Sequence, residues 1–305
     1  MQAKIQQAVN QISKVILGKE QEIKLALTCL LAGGHLLIED LPGMGKTTLS
    51  NALARVFGLG FSRIQFTSDL LPADMLGVNI FNTQHQVFNF HPGPLFNQVV
   101  LADEINRASP KTQSALLEAM EEHQISLDGE THALPSPFFV IGTQNPEHQA
   151  GTYPLPESQL DRFLMRIQLG YPSWQAEKDM LRQPQQKEVE KLQPVISPTS
   201  LIELQQQISE VHASDDILDY ILRLVTYSRE SEKFPSALSP RASKALLQAA
   251  RSWAMVNNRD YLIPEDVQTV LPAVAEHRLR SALAEHPAQT SLSQWLLEQV
   301  DPLAA

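Results

Sequence analysis

Cysteine is nearly absent from the chain: Cys29 stands alone, inside the apolar stretch of residues 25–31. No disulfide can form within the chain, and a lone thiol in such a stretch reads as a small core residue in a reducing compartment. Long hydrophobic runs are missing as well. None approaches the ~20 residues that cross a bilayer. The opening residues, Met1-Gln2-Ala3-Lys4-Ile5-Gln6-Gln7, lack the apolar centre of a secretory signal. The expectation is a cytoplasmic protein with no membrane span. Positive charge is the minority sign, with 24 Lys and Arg against 34 Asp and Glu and a formal net charge of −10. That balance argues against a dedicated nucleic-acid binder, although a local basic stripe could hide in it. Nine histidines are scattered without C-x-x-C or H-E-x-x-H spacing, and no Ser–His or Cys–His nucleophile motif occurs. His91, before Pro92-Gly93-Pro94, reads as a structural loop residue. What is present is an ordinary globular composition: 43% hydrophobic and 19% charged residues over 305, enough for a large domain plus a small one.

Residues 1–33 read as two helices flanking a loop at Gly18, ended by Gly33-Gly34. A buried strand over 35–38, a Gly-rich turn and a helix over 46–56 then open a βαβ unit. Further strand candidates lie at 60–66, 98–102, 138–143 and 165–169, with a helix over 112–122 between them. Short apolar strands alternating with helices predict a parallel sheet covered on both faces. Two insertions interrupt this order. Residues 79–90 alternate around Asn82-Thr83-Gln84-His85, and 125–134 carry Asp128-Gly129, a two-residue hairpin turn signal. Composition shifts to Gln, Lys, Glu and Pro around 181–200. Beyond it helices are predicted over 200–211, 215–230, 240–257, 264–277 and 291–300, with Ser239-Pro240 and Ile263-Pro264 as starts. The resulting division is 1–185 for the α/β part with both hairpins, 186–198 for a linker, and 199–305 for a helical domain.

The chemistry begins at Asp40-Leu41-Pro42-Gly43-Met44-Gly45-Lys46-Thr47-Thr48. This is the phosphate-binding pattern G-x-x-x-x-G-K-[ST] with Asp40 at its first glycine. Glycines let backbone N–H groups crowd round phosphates at the positive end of the next helix. Lys46 is expected to reach the β- and γ-phosphates of ATP, and the Thr47 hydroxyl to ligate Mg²⁺. A second signal fits the first. Val99-Val100-Leu101-Ala102 is a buried run ending in Asp103-Glu104, and in a parallel sheet that end opens on the nucleotide crevice. Asp103 is placed to hold Mg²⁺ and Glu104 to orient and deprotonate the attacking water. Paired acids also cap helices, so the pair gains its meaning from the loop before it.

These motifs, with Gly93-Pro94-Leu95-Phe96, Ile105-Asn106-Arg107-Ala108, Gln113 to Glu122, Thr143-Gln144-Asn145-Pro146, Gly151 to Glu157 and Leu160-Asp161-Arg162-Phe163, resemble the MoxR family of AAA+ ATPases over most of residues 15–172. The match in the C-terminal helices is looser, chiefly Ser239-Pro240-Arg241-Ala242. The resemblance implies a three-layer αβα P-loop domain with a parallel sheet, followed by a small all-α lid. It implies that Asn145 is sensor 1, contacting the γ-phosphate or the water. It implies that Arg162 is an arginine finger acting on a neighbouring subunit, and that Arg241 is sensor 2, on a lid that closes on the nucleotide. Residues Ile16, Leu17 and Gly18 would wrap the adenine. Arg107 would bridge subunits, and the two hairpins would project towards a pore or partner face.

The leading functional expectation is therefore an ATP hydrolase that works as a homo-oligomeric ring, six subunits being the expected number. The family implies a partner with a von Willebrand factor A domain and a client protein that is remodelled, activated or loaded with a metal or cofactor. A nucleic-acid motor is the first alternative, but neither hairpin contains Lys or Arg to meet phosphates. The other is a non-catalytic nucleotide switch, against which the intact Lys46, Asp103 and Glu104 argue.

Overall fold

A computed structural model describes residues 2–145, 152–182, 189–279 and 291–302. Helices α1 (Gln2–Ser13) and α2 (Glu20–Leu31) lead into β1 (His35–Glu39), α3 (Lys46–Val56) and β2 (Phe61–Gln65). The short α4 (Pro72–Leu76) is followed by the hairpin β3 (Gly77–Asn82) and β4 (Val87–Pro92), then β5 (Val99–Asp103) and α5 (Pro110–Glu122). The second hairpin, β6 (Gln124–Leu127) and β7 (Glu130–Ala133), precedes β8 (Phe139–Gln144), α6 (Glu157–Leu160), β9 (Phe163–Ile167) and α7 (Trp174–Arg182). Five helices complete the described chain: α8 (Pro198–Ser209), α9 (Asp215–Glu230), α10 (Pro240–Val256), α11 (Pro264–Ala275) and α12 (Leu292–Gln299).

Five strands form one sheet in the order β2-β5-β8-β1-β9, every neighbouring pair parallel. Alternation along each strand sorts its side chains to two faces. Val99, Leu101, Phe139 and Ile141 join the core under α1–α3. Val100, Ala102 and Val140 join the core under α5. That is the expected three-layer αβα arrangement. The first core does not stop at the sheet. It continues without a break into the C-terminal helices, where Ala249, Trp253, Val267 and Val270 belong to the same cluster. Ser252 Oγ donates to the carbonyl of Thr28 at 2.8 Å, and Gln205 Nε2 to that of Leu30 at 2.9 Å, tying the helical part to α2.

Several boundaries differ from expectation, each for a visible reason. Strand β9 runs over 163–167 instead of 165–169, because the amides of Leu169 and Gly170 turn to the Asp40 carboxylate. The first hairpin extends to 77–92, which puts His91 in a strand, and its base crosses backbone on backbone. A Cβ on Gly93 would stand 2.3 Å from the Met75 carbonyl oxygen. Asp128 and Gly129 both have positive φ, the geometry a tight hairpin turn needs. The expected linker 186–198, described from residue 189 on, is packed chain: Val189, Leu192 and Ile196 are buried, and the amides of Val195 and Ile196 donate to the Val56 carbonyl. Residues 183–188, 280–290 and 303–305, which the division at 185/186 and the helical segment touch, lie outside the described residues, as do Pro146 and Gly151 of the family motifs.

Cys29 is fully buried and donates to the His35 carbonyl, and burial pushes its thiol well above the usual range. His35, at the start of β1, accepts from the Val140 amide at Nδ1 and faces the Met120 carbonyl through Nε2, so the neutral ring with its proton on Nε2 fits. Burial lowers its pKa to about 4. His277, hydrogen-bonded to the Phe163 carbonyl, is lowered by burial too. A base whose folded pKa lies below its unfolded value near 6.5 stabilises the fold above that value and loses the contribution as pH falls towards 4. Urea denaturation at pH 7.5 and pH 5 is expected to show a loss of about 2 kcal/mol from His35 alone. His35→Gln, which keeps an acceptor and a donor, should remove that share of the pH dependence.

Candidate functional site: the nucleotide crevice and a remote arginine pair

The strand order decides which residues meet. Strand β8 lies between β1 and β5, so its last residues emerge between the loop after β1 and the acids after β5. Asn145 accordingly bridges the two. Its Oδ1 accepts from Lys46 Nζ at 3.2 Å, and its Nδ2 donates to Glu104 Oε1 at 3.0 Å. Lys46 also donates to the Asp40 carbonyl at 2.7 Å. Burial lowers its pKa, opposed by the charges of Asp103, Asp40 and Glu104. A cavity of about 460 Å³ opens here, lined by Pro42, Gly43, Gly45, Lys46, Thr47, Thr48, Arg63, Gln65, Asp103, Glu104 and Asn145.

Within the loop, Gly43 and Gly45 have φ of 84° and 89°, and a Cβ on Gly43 would meet nothing within 4 Å. Gly45 is the N-cap of α3, with no side chain capping the first turn. The first amides of α3 thus point at the cavity without a side-chain partner, the arrangement an anion fills. Asp40 explains how the loop manages without its first glycine. Its backbone does not adopt positive φ. Its carboxylate accepts from the amides of Leu169 and Gly170 at 2.7 and 2.6 Å and from its neighbour Leu41 at 2.9 Å, pinning the loop to the chain leaving β9.

At the end of β5, Asp103 Oδ1 accepts from the Thr143 hydroxyl at 2.6 Å, and the same hydroxyl accepts from the Glu104 amide at 2.9 Å. Glu104 sits in the left-handed region, at φ 58°, which turns its carboxylate off the strand line into the cavity. Three partners escaped the sequence reading. Arg63 donates to Asp103 Oδ2 through Nη2 at 2.6 Å and Nε at 3.1 Å; Gln65 Nε2 donates to Glu104 Oε2 at 3.0 Å; and Thr143 is the hydroxyl just described. The signal was polar alternation, Arg63-x-Gln65, at the tail of an edge strand, but the register Gln65↔Asp103 was needed to aim it. Arg107, expected to bridge subunits, is paired with Glu104 Oε2 of its own chain at 2.8 Å.

Ile16 packs on the loop, its Cδ1 3.8 Å from a Cβ placed on Gly45, and Gly18 lies against Ser173 and Ala176 around the start of α7. Residues 16–18 thus border the loop without lining the cavity. Among the described residues no cluster of three His, Cys, Asp or Glu could hold a metal. One carboxylate and one hydroxyl beside a phosphate cradle nevertheless fit Mg²⁺, which keeps waters and takes few protein ligands.

Arg162 and Arg241 are elsewhere. Arg162 precedes the first residue of β9, whereas the phosphate loop follows the last of β1, and the strands are parallel. One strand length, about 17 Å, separates the two ends of the sheet. Arg241 is at the start of α10, at the same far end, and does not line the cavity. Arg241, expected as sensor 2 on a lid that closes on the nucleotide, thus stands away from the cavity of its own chain, on a helix that packs on α2 and β9. Both arginines share Glu121, Arg162 at 3.0 Å from Oε2 and Arg241 at 2.7 Å from Oε1. The Arg241 bond, then the Arg162 charge, holds the Glu121 carboxyl below its usual pKa.

The two hairpins touch each other through Asn79 Nδ2 and Asp128 Oδ2 at 2.8 Å and through the stacked rings of Phe90 and His132. Val78, Ile80, Phe81, Val87 and Phe88 are exposed on the first.

A glycine-lined phosphate cradle on a helix N-terminus, facing paired acids across a parallel sheet with an appended helical lid, defines a P-loop ATPase of the AAA type. The comparisons agree. The model of the ATPase family associated with various cellular activities (AAA) matches residues 35–165, and that of the AAA lid domain matches residues 227–295. Chaperone MoxR1 of Mycobacterium tuberculosis is 41% identical over 289 residues, covering 90% of this chain and 75% of its own length. The uncharacterized protein YeaC of Bacillus subtilis is 49% identical over 273 residues, 89% of this chain and 85% of its own. A crystal structure of a candidate ATPase from Cytophaga hutchinsonii superposes with a TM-score of 0.89 at 35% identity, covering 98% of this chain and 95% of that one. The chain belongs to the MoxR family of AAA+ ATPases. Among the described residues no helix is long and apolar enough to cross a membrane.

Asp40→Gly would restore the motif's first glycine yet remove the three amide bonds. It is expected to lower stability by about 1–3 kcal/mol in urea denaturation, since buried donors are left unpaired.

Proposed function

We propose that the chain hydrolyses ATP at sites shared between subunits of a homo-oligomeric ring, and uses the cycle to remodel or activate a partner protein. The carrying observation is the separation of roles within one chain: Lys46, Glu104 and Asn145 converge on one cavity, while Arg162 and Arg241 lie a strand length away. An arginine that cannot reach its own phosphate can serve a neighbour's.

Lys46 and the amides of Gly45, Lys46, Thr47 and Thr48 hold the phosphates, with Pro42, Gly43 and Met44 shaping the loop. Thr47 and Asp103 would hold Mg²⁺, which would supply positive charge to neutralise the phosphates. For this Arg63 yields Asp103 or shares it. Glu104 orients and deprotonates the attacking water. Asn145, bonded to both Lys46 and Glu104, sets the distance between phosphate and base. Ile16, Leu17 and Gly18 take the adenine, and Arg162 with Arg241 meets the charge that develops in the neighbour's transition state.

The name of the Mycobacterium tuberculosis relative, a chaperone, supports the remodelling role. A ring of six in the cytoplasm, a von Willebrand factor A domain partner, and metal or cofactor insertion into a client remain parts of the proposal that rest on the family resemblance. The hairpins present apolar side chains and no Lys or Arg, which suits a protein partner better than a nucleic acid.

The test measures ATP turnover against protein concentration, with mass photometry on the same samples. Turnover per subunit should rise as rings form, and Glu104→Gln and Arg162→Ala should each reduce it about 10³-fold. Normal turnover by monomeric Arg162→Ala would sink the shared site and favour a switch that acts alone.

A further inference from the structure

We infer that Glu121 is a positioning residue that presents Arg162 and Arg241 as one paired clamp to a phosphoryl group of a second copy of the chain. This rests on the shared-site reading above and assigns a function to a residue outside the nucleotide crevice.

The argument starts from charge. Two guanidiniums from different elements, α10 and the turn before β9, repel unless an anion stands between them. Glu121 supplies that anion from a third element, the end of α5. It divides its oxygens between them, Oε2 in an ion pair with Arg162 Nη2 and Oε1 accepting from Arg241 Nη2. Among the described residues neither guanidinium meets a second acidic partner, and each fork has further N–H groups that suit phosphate oxygens. The trio keeps a net charge of +1, and about half of the Arg241 side chain and a quarter of that of Arg162 are exposed, at 47% and 28%.

The backbones that carry the two arginines are themselves immobilised. Arg278 is buried and donates to the Asp161 carboxylate at 2.6 Å, and to the carbonyls of Asp161 and Phe163 at 3.2 and 2.7 Å. Asp161 Oδ2 accepts from Ser239 Oγ at 3.1 Å, and that hydroxyl caps α10 two residues before Arg241. Burial lowers the Arg278 pKa and the Asp161 partner opposes that shift. With residues 161–163 and the α10 start joined in this way, only the two long side chains are left to order. Fixing each costs rotamer entropy, which a preformed pair need not meet at the moment of reaction. Helix α5 also begins seven residues after Asp103, so a single 13-residue rod runs from the chain's own acids to the arginines it offers its neighbour.

The experiment compares Glu121→Ala and Glu121→Gln with wild type for kcat, fluorescent-nucleotide affinity, ring mass and melting temperature, and then mixes each with Glu104→Gln. In such mixed rings the Glu104→Gln subunits have intact arginines and the Glu121 variants have intact nucleotide sites. Arg162→Ala mixed with Glu104→Gln is the control. Expected is a fall in kcat of about ten- to a hundredfold, the scale of a misplaced catalytic group. Nucleotide affinity and ring mass should stay unchanged, and activity should return on mixing, as it does for the control. Glu121→Gln keeps the shape and one acceptor, and serves if Glu121→Ala melts early. Unchanged or raised kcat in Glu121→Gln would overturn the inference, the latter by making Glu121 a restraint on the arginines. A loss that mixing does not repair, while the control is repaired, would also overturn it and leave the shared site standing. Failure of the control itself would remove the shared site and this inference together.

Discussion

Strand direction is the constraint on which the site depends. Five parallel strands release their C-terminal ends along one edge, and helices on both faces close that edge into a crevice. The order places β8 between β1 and β5, so a lysine, an amide and a carboxylate more than forty residues apart in sequence, or nearly a hundred, fall within hydrogen-bond reach. Nothing else in the molecule could set that spacing. The glycines of the loop, the left-handed turn at Glu104 and the Asp40 anchor are local adjustments to a geometry the sheet imposes.

The same directionality sends other groups to the opposite edge. Strand β9 starts where β1 starts, so the arginine before it stands at the far side of the layer from its own phosphate loop. The C-terminal helices add a second arginine there because they pack against α2 and β9 in one continuous core. On the proposed function, a chain built so carries the groups for phosphate chemistry on both ends, which is the physical requirement for a site completed between copies. Its lid is correspondingly held by buried contacts, Arg278 with Asp161 and Ser252 with the Thr28 carbonyl. Motion of this lid would therefore carry residues 161–163 with it.

Asp40 and Glu39 show how adjacent residues divide labour at the crevice. Glu39 joins β1 to both neighbours, accepting from Arg166 at 2.6 Å and Gln144 at 2.8 Å, and Asp40 holds the chain beyond β9. A carboxylate stands where the common motif has glycine because the position needs no positive φ. What it needs is an acceptor for two amides that the ending strand leaves unpaired.

Local chemistry alone determined the strand–loop–helix start, the acids after a buried run, the Asp128-Gly129 turn and the Ser239-Pro240 helix start. Each depends on neighbours within a few residues, where glycine freedom, N-cap hydrogen bonding and apolar periodicity act directly on the chain. Strand ends were less exact, since the Leu169 and Gly170 amides choose their acceptor from another strand's exit. The roles of Arg63, Glu121 and Arg278 belonged to the tertiary structure alone. Their partners lie 40, 41 and 120, and 117 residues away along the chain. A charged residue read by itself carries no direction. Only sheet register and helix packing bring opposite charges together, because electrostatic pairing depends on distance in space and not on separation in sequence.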